Sequence, residues 1–322
     1  MINFLAKITA WLGQHMFFIV LSGLIAGFLI PLPDSPALRA TVVGSFGYMT
    51  FVTALGTSLK EFLRVLKKPV IPLWILVLIH VVSPCIAWLA GLFFFSGDPY
   101  TQLGYLIAAS TPIGVTSVIW TALTGGSVSV ALVAVTLDTL LVPVMLPFFF
   151  KAVIGQTLQI DYLQMMVQLF AMITIPSIAG MLIHDHGRSD MLPKSLKVIG
   201  NFIAKLAFFA VIFINAALVG PDIAWDLSTL KIVLVTMFLV ALGYAMGYLG
   251  SLVFKNRSRE VALAMIYCVG LRNASFGVVL ALTFFPHAVA IPVTMTILYQ
   301  QPFAAIIPYF FGSTGNKDQG AT

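Results

Sequence analysis

The stretch YCVGLRNASFG, residues 267–277, interrupts a long apolar segment with glycine and polar side chains. The segment covers about residues 261–285, enough for the roughly 20 residues that a membrane-spanning helix needs. The interrupting residues are Gly270, Arg272, Asn273 and Ser275. An arginine at that depth costs at least a few kcal/mol, roughly, and glycine beside polar side chains marks a place where a membrane helix unwinds around a cavity. The stretch therefore predicts a broken helix.

A second stretch, ASTPIGVTSVIWT at residues 109–121, has the same character. Two interrupted helices at corresponding places in two halves of a chain indicate the substrate site of a transporter. Half-helix N-termini at such a site favour an anionic group. We therefore predict a substrate site at the two breakpoints, in which the polar side chains bind substrate or, alternatively, only cap helices. The predicted site residues are Pro112, Gly114, Thr116, Ser117, Arg272, Asn273 and Ser275.

The composition indicates an all-α polytopic membrane protein without a sizeable soluble domain. Of the 322 residues, 60% are hydrophobic and 9% charged, with a mean hydropathy of +1.04, whereas charged residues make up about 25% of an average soluble protein. The net charge of +6 follows membrane topology rather than nucleic-acid binding. Both cysteines lie in apolar segments, so neither a disulfide framework nor a metal site is expected. The His-Asp-His triplet at 184–186 is expected to be a solvated loop.

Hydropathy predicts ten transmembrane spans in two halves, residues 1–150 and 151–322. Residues 1–14 are expected to form a short amphipathic lead-in rather than a cleaved signal peptide. The predicted spans cover residues 15–30, 39–58, 69–95, 101–123, 127–150, 163–183, 198–219, 229–254, 261–285 and 288–311.

Lys and Arg residues support this arrangement. With the N-terminus in the cytoplasm, twelve of the 17 fall on the cytoplasmic side, three on the outer side, and two, Lys205 and Arg272, within spans. This bias is what the positive-inside rule expects. It predicts a multi-pass protein of the cell membrane with both termini in the cytoplasm. Lys205 lies about two turns from the cytoplasmic end of its span, close enough for its amine to reach that surface.

The two halves have matching features. Each breakpoint falls in the fourth span of its half, and an odd number of spans inverts the second half relative to the first. The spans that follow also match, since VTLDTLLVPVMLPFFF (135–150) and VTMTILYQQPFAAIIPYFF (293–311) both carry an early threonine, a middle proline and a late proline. We therefore predict two inverted five-helix repeats with broken helices 4 and 9.

Two further polar side chains lie within the predicted spans. Asp138 is the only acid at that depth, and its alternatives are a proton carrier or a permanent ion-pair partner of Arg272. His80 is either a proton-relay residue, since histidine titrates near pH 6.5, or a satisfied core residue. Arg272 itself is either a clamp for a substrate anion, a built-in cation, or a structural residue bonded to helix-end carbonyls.

The order of these motifs resembles the bile acid:sodium symporter family over nearly the whole chain. The resemblance includes LGTSLKEFLRVLKKP (55–69), STPIGVTS (110–117) and VGLRN (269–273). It implies a panel domain of spans 1, 2, 6 and 7 facing a core domain of the other six, in which the two broken helices cross. Members of that family carry organic anions such as bile acids, pyruvate, pantoate or sulfated steroids, usually with sodium.

Several family sodium ligands are replaced here. Where the family has an Asn after the first breakpoint's serine, this chain has Val118. Where it has a Glu and a Gln flanking the second breakpoint's glycine, this chain has Cys268 and Arg272. The remaining replacements are His80 for a third-helix Gln, and Ala131 and Val135, with Thr136 adjacent, for fifth-helix Ser or Thr. We therefore predict ion or proton coupling at His80 and Asp138, as titratable side chains within spans, and at Thr136, which adjoins a ligand position of the family.

We expect a secondary active transporter that moves a small organic anion by alternating access and acts as a monomer without a cofactor. The alternatives are proton coupling, no coupling, or sodium coupling through atypical ligands. A membrane-embedded enzyme is the rival class, but neither an HExxH nor a paired-carboxylate motif is present. A channel is a third class. The sequence lacks the nucleotide-binding motif GxxxxGK[ST], which argues against transport driven directly by ATP.

Overall fold

The computed structural model describes residues 2–56, 58, 70–154, 161–186, 193–224, 226–255 and 258–311. These residues form helices and their connections, with one isolated β-bridge. Most of the predicted motif at 55–69, and many of the Lys and Arg residues assigned to the cytoplasm, lie outside the described residues. The orientation in the membrane therefore stays a prediction.

Fifteen α-helices are described, numbered in chain order. In the first half they are α1 (Ile2–Gln14), α2 (Met16–Leu29), α3 (Pro36–Ala54), α4 (Val70–Val77), α5 (Ser83–Phe94), α6 (Pro99–Ser110), α7 (Thr116–Leu123) and α8 (Val128–Ile154). In the second half they are α9 (Tyr162–Leu169), α10 (Ile175–Asp185), α11 (Lys194–Val219), α12 (Leu227–Ser251), α13 (Arg259–Gly270), α14 (Ala274–Phe284) and α15 (Ala290–Phe311).

Two π-helical turns join short helices into longer rods. Leu78–Val82 links α4 to α5, and Phe170–Thr174 links α9 to α10. Each turn is followed by a proline, Pro84 or Pro176, which lacks an N–H and crowds the carbonyl of the preceding turn. The helix widens rather than stopping, so α4–α5 and α9–α10 each run as one continuous rod.

Six helical rods among the described residues are long and apolar enough to cross a membrane. They are Val70–Phe94, Val128–Val153, Tyr162–Asp185, Ser195–Asp222, Leu227–Ser251 and His287–Phe311. A further pair, Ile2–Gly13 and Phe18–Leu29, passes the same test together but bends by 79°. The structure thus confirms an all-helical protein with several apolar spans. The ten-span inverted repeat is a finer statement than these helices establish.

Both predicted breaks are present. Residues 101–123 divide into α6 and α7, and residues 261–285 divide into α13 and α14. The two breaks run antiparallel, with the amide of Gly114 donating to the carbonyl of Leu271 at 2.8 Å and that of Asn273 donating to the carbonyl of Pro112 at 2.7 Å. Backbone freed by unwinding is costly unless it finds partners inside the protein. Each break supplies those partners for the other.

The helices pack in two groups. α11 packs against α1, α2 and α3, and α3 also packs against α10. The broken helices pack with the remaining ones, α13 on α7, α8 and α12, and α14 on α15. Small residues permit the closest approaches, since a Cβ at Gly104 of α6 would lie 2.5 Å from the carbonyl oxygen of Val289.

Candidate functional site

A cavity of about 620 Å³ lies where the two helix groups face each other. Binding sites for small molecules commonly have volumes of roughly 300–1,000 Å³. One wall comes from α1, α2, α3 and α11, and the other from the two breaks, α7 and α15. The predicted site residues Gly114, Thr116, Arg272, Asn273 and Ser275 all line this cavity.

The remaining predicted residues lie elsewhere. Pro112 and Thr136 line a smaller cavity of about 80 Å³, which Asn273 also borders. Ser117 is fully buried and is not among the residues that line the large cavity. The amide oxygen of Asn273 accepts from the backbone N–H of Phe276 at 3.1 Å. This residue therefore caps α14 while it faces the cavity, which combines the two alternatives for its role.

The charged side chains lining the large cavity, among the described residues, are Lys205 and Arg272, and no acidic side chain joins them. Lys205 lines the cavity beside α1, where a Cβ on Gly13 would lie 3.1 Å from its Nζ. The amides of Asn201, Gln300 and Gln301 add polar contacts. The two adjacent glutamines of the last span, within LYQQPF, are a sequence signal for this site that the predicted set of residues lacks.

The Arg272 side chain, which lines the large cavity, bonds to two backbone carbonyls. Its Nη2 donates to the carbonyl of Ile79 at 2.9 Å and to that of Ala109. The carbonyl of Ile79 is available because the amide of Ser83 bonds to Leu78 in the π-helical turn and the next residue, Pro84, has no N–H. The Nε and Nη1 groups of Arg272 are buried without a hydrogen-bond partner among the described residues.

Asp138 is fully buried on α8 and uses both carboxylate oxygens. Its Oδ1 lies 2.5 Å from Nε2 of His80, and its Oδ2 accepts from the backbone N–H of Ile113 at 2.5 Å. Hydrogen bonds to a carboxylate are shorter and stronger than neutral ones. The aspartate therefore joins the π-helical turn of the third rod to the first break.

Arg272 and Asp138 bond to the carbonyl and to the amide of one helical hydrogen bond that the first break removes. In an unbroken helix the amide of Ile113 would donate to the carbonyl of Ala109, four residues earlier. The break at Pro112 separates them, and Arg272 takes the carbonyl while Asp138 takes the amide. The direct ion pair between Arg272 and Asp138, one of the two alternatives for Asp138, is not among the contacts of the described residues. Asp138 bonds to His80 and to the amide of Ile113, and Arg272 bonds to the carbonyls of Ile79 and Ala109.

In the family that the sequence resembles, several side chains bind sodium. The corresponding positions of this chain carry apolar side chains or polar side chains that are already hydrogen-bonded within the protein. Cys268 and Ala131 are fully buried among apolar side chains, and Val118 packs against the same cluster. His80 is bonded to Asp138, and Arg272 to two carbonyls. Sodium needs several oxygen ligands, and two of the oxygens at this place already accept from a guanidinium.

The His-Asp-His triplet ends α10 rather than forming a loop. The imidazoles of His184 and His186 each bond through Nδ1 to a backbone carbonyl, at 2.8 and 2.7 Å. Asp185 accepts from the hydroxyl of Ser58 at 2.7 Å. These side chains point to different partners, and no group of metal-binding side chains is found among the residues that the structure describes.

The opposite end of the molecule, away from the N-terminal helix, is closed by a polar cluster. Arg39, at the start of α3, bonds to Asp34 and donates through Nη1 to the carbonyl of Leu282 on α14 at 2.9 Å. Nε2 of His287 lies 3.3 Å from Oδ2 of Asp34, and its Nδ1 lies 3.4 Å from Oδ2 of Asp222, just beyond the end of α11. This cluster joins the two helix groups, whereas α1 and the start of α11 border the cavity at the other end.

Comparison with known proteins places these features in a family. The family model for the Sodium Bile acid symporter family matches residues 45–223. The uncharacterized protein YbaS of Bacillus subtilis (strain 168) is 34% identical over 265 residues, covering 82% of this chain and 86% of YbaS. The probable sodium/metabolite cotransporter BASS6, chloroplastic, of Arabidopsis thaliana is 22% identical, covering 83% of this chain and 66% of its own length. The uncharacterized sodium-dependent transporter YocS of Bacillus subtilis (strain 168) is 21% identical, covering 99% and 98%. The chain therefore belongs to the sodium bile acid symporter family and is a membrane transporter rather than an enzyme.

Proposed function

We propose that this protein is a secondary active transporter for a small organic anion of the bile-acid, pyruvate or pantoate kind. Its binding site is the 620 Å³ cavity at the crossing of the broken helices. The observation that carries the proposal is the charge of this cavity, whose charged lining side chains among the described residues are both cations. A lysine amine and a buried arginine in a low-dielectric site favour an anion over a neutral or cationic solute.

Transport proceeds by alternating access of a core against a panel. The panel consists of α2, α3, α9–α10 and α11, and the core of the other membrane helices, which include both breaks. These groups belong to two inverted five-helix repeats of a ten-span protein, a monomer of the cell membrane with both termini in the cytoplasm. The packing of α11 on α2 and α3, and of α13 on α7 and α12, supports this division.

We infer that the described conformation is open at the end that carries the N-terminus, because contacts between the two helix groups close the opposite end. The cavity is bordered there by Ala6 and Ala10 of α1, and the opposite end is closed by the cluster of Arg39, Asp34 and His287. With the N-terminus in the cytoplasm, this is the inward-open state. Outward opening then requires that the Arg39 cluster separates.

We expect Arg39→Ala to shift the protein towards the outward-open state, because it removes the bonds to Asp34 and Leu282. The Arg39 hydrogen bond is the main cause that lowers the pKa of Asp34 below its ordinary value of 3.8. A carboxylate with a lowered pKa contributes its stabilisation above its ordinary value and loses it as the pH falls through the lowered one. Asp34 therefore holds the cluster closed throughout the neutral range.

The measurement is labelling of Phe285→Cys by a membrane-impermeant maleimide, in a Cys85→Ser background because Cys85 is exposed. Phe285 is buried near the closed end. We expect labelling to accelerate about fivefold or more in Arg39→Ala, and Arg39→Lys to change it less. Equal labelling rates in Arg39→Ala and the parent would refute the assignment of this cluster as the outer gate.

Uptake by purified protein in liposomes tests the proposed function. Labelled pyruvate, pantoate and taurocholate are offered in counterflow, with unlabelled anion inside and no ion gradient. A carrier gives a transient overshoot and saturates, whereas a channel gives neither, and an enzyme changes the chemical identity of the anion. Failure of counterflow with all three anions and related organic acids would contradict the proposal. Replacing sodium with potassium then shows whether sodium drives net uptake, which the replaced ligand positions argue against.

A further inference from the structure

The buried contact between His80 and Asp138 is not needed to hold an anion in the cavity. The side chains are 6% and 0% exposed, and neither lines the large cavity. Asp138 needs a partner for Oδ1, but a threonine or a backbone amide would serve a purely structural purpose equally well. A histidine is the side chain whose charge changes between about pH 5 and 8.

We propose that His80 and Asp138 form a proton-binding site and that the protein carries one proton with each monovalent anion. This inference rests on the proposed function, because it concerns the ion coupled to the same transport cycle. It is carried by the geometry of the cluster in which Asp138 links His80 to the first break, and by the fixed charge of Arg272 at that break.

The charges of this cluster explain the coupling. With His80 neutral, Arg272 and Asp138 cancel, and the empty core carries no net charge at the crossing. An added monovalent anion leaves the core at −1, and an added proton alone leaves it at +1. Only the empty core and the core with both proton and anion are neutral there.

A net charge is costly to move through a low-dielectric interior. The neutral states therefore change between inward- and outward-open readily, and the singly loaded states do not. Symport requires that the carrier changes state only when it is empty or when it carries both the proton and the anion. Lys205 does not enter the count, because it lies on α11 in the panel and does not move with the core.

The proton also reaches the anion site mechanically. Protonation of His80 strengthens its bond to the shared carboxylate, and the other oxygen of that carboxylate accepts from the amide of Ile113 in the first break. Gly114, the next residue, lines the large cavity and donates its amide to Leu271 of the second break. Proton binding thus acts on the backbone that forms the wall of the anion site.

The other groups around the pair do not compete for the proton. Among the described residues, Arg272 and the fully buried thiol of Cys268 interact electrostatically with Asp138. From the neighbouring helices α6 and α12, Tyr105 and Tyr244 donate their hydroxyls to backbone carbonyls, at 2.9 and 2.6 Å. Asp138 is the only carboxylate in the cluster among the described residues.

The test combines counterflow with net uptake, in liposomes without sodium and with the membrane potential clamped at zero. The probe is whichever of pyruvate, pantoate or taurocholate shows counterflow, and a pH dye inside the liposomes reports proton entry. We expect wild-type uptake to rise about tenfold when the outside is one to two pH units more acidic, with proton entry equal to anion entry. Protein-free liposomes correct for diffusion of undissociated acid.

Asp138→Asn separates the proton site from the anion site. It leaves the core at +1 when empty and neutral when loaded with anion. We therefore expect counterflow within about threefold of wild type, but loss of net uptake and of anion-coupled proton entry. Thr139→Val is the matched control, since it removes an uncharged hydroxyl that bonds within the same helix one residue away. It is expected to behave as wild type.

His80→Gln provides a second readout. The pair then lacks its imidazole, so acid-stimulated net uptake and proton entry are expected to fall below those of the wild type. Calorimetric anion binding in buffers of different ionisation enthalpy reports the protons taken up per anion. We expect wild type to take up protons on binding and Asp138→Asn to take up none.

The outcomes separate the two proposals. Absence of counterflow in the wild type overturns the proposed function. Counterflow without acid-stimulated uptake or proton entry, or full proton coupling in Asp138→Asn, overturns the proton site alone. A folding defect in Asp138→Asn does not obscure the result, because the wild-type proton flux and the proton uptake on binding decide the question by themselves.

Discussion

Arg272→Ala is expected to reduce net anion uptake by about 100-fold or more. The substitution removes the fixed cation at the crossing, so the core carries the charge of Asp138 when empty and a larger negative charge when an anion binds. It also leaves the carbonyls of Ile79 and Ala109 without their donor. An unmade buried hydrogen bond costs roughly 1–3 kcal/mol, and a factor of ten corresponds to about 1.4 kcal/mol.

Arg272→Lys distinguishes a fixed cation from a two-pronged anion clamp. Lysine keeps the charge but cannot reproduce the planar donor geometry of arginine. If the charge at the crossing is what matters, uptake should remain within about tenfold of wild type. If Nε and Nη1, which lack partners among the described residues, hold a substrate carboxylate directly, the lysine variant should be nearly as inactive as the alanine variant.

Anion affinity measured by calorimetry on folded, detergent-solubilised protein accompanies both uptake assays. The melting temperature of each variant shows whether lost uptake reflects lost folding. An Arg272→Ala variant that folds and binds the anion within about twofold of wild type would show that the arginine does not clamp the anion.

The sequence established the depth of polar side chains but not the direction in which they point. Breaks at Gly270 and Pro112 were predictable, because proline, glycine and polar residues are unfavourable inside an apolar span whatever the tertiary structure. Their matching places in the two halves indicated one site at both breaks, and the resemblance to the family implied that the broken helices cross. Both predictions use properties that lie along the chain.

The partners of Arg272 and Asp138 were not predictable in the same way. Depth and sign suggested that they pair, yet the break and the π-helical turn release backbone groups that bind them first. Those groups are neutral backbone groups, which nearly every residue carries, so residue identities do not show which of them are free. Pro84, four residues beyond His80, was the available signal, because a proline there leaves a carbonyl without its donor.

The position of the Lys205 amine was not predictable from the sequence either. A lysine two turns from the end of an apolar helix can extend to the surface or into a cavity, and only the packing of α11 on α1 and α2 decides between them. The neighbouring positions Val198, Asn201 and Phe208 also line the cavity. These positions share one face of the helix, but that face can be assigned to the site only after the place of the cavity is known.

Lys205→Glu is the second substitution from which we expect a large effect, a loss of anion uptake of about 100-fold or more. It places a carboxylate in the wall that faces the anion. Two unit charges about 4 Å apart interact by roughly 1 kcal/mol in water and 4 kcal/mol near a protein surface, and reversing the sign counts this energy twice. Lys205→Met, which removes the charge and keeps most of the side-chain volume, should cost about tenfold. Lys205→Arg should retain uptake.

Lys7→Glu is the matched control, because it makes the same change in net charge on an exposed face of α1, next to the same end of the molecule. We expect it to leave uptake within about twofold of wild type. Raising the salt concentration should weaken anion binding in the wild type more than in Lys205→Met, since screening acts on a half-buried charge that is open to solvent. Equal losses in Lys205→Glu and Lys7→Glu would mean that the overall charge of this end, rather than a contact in the cavity, attracts the anion.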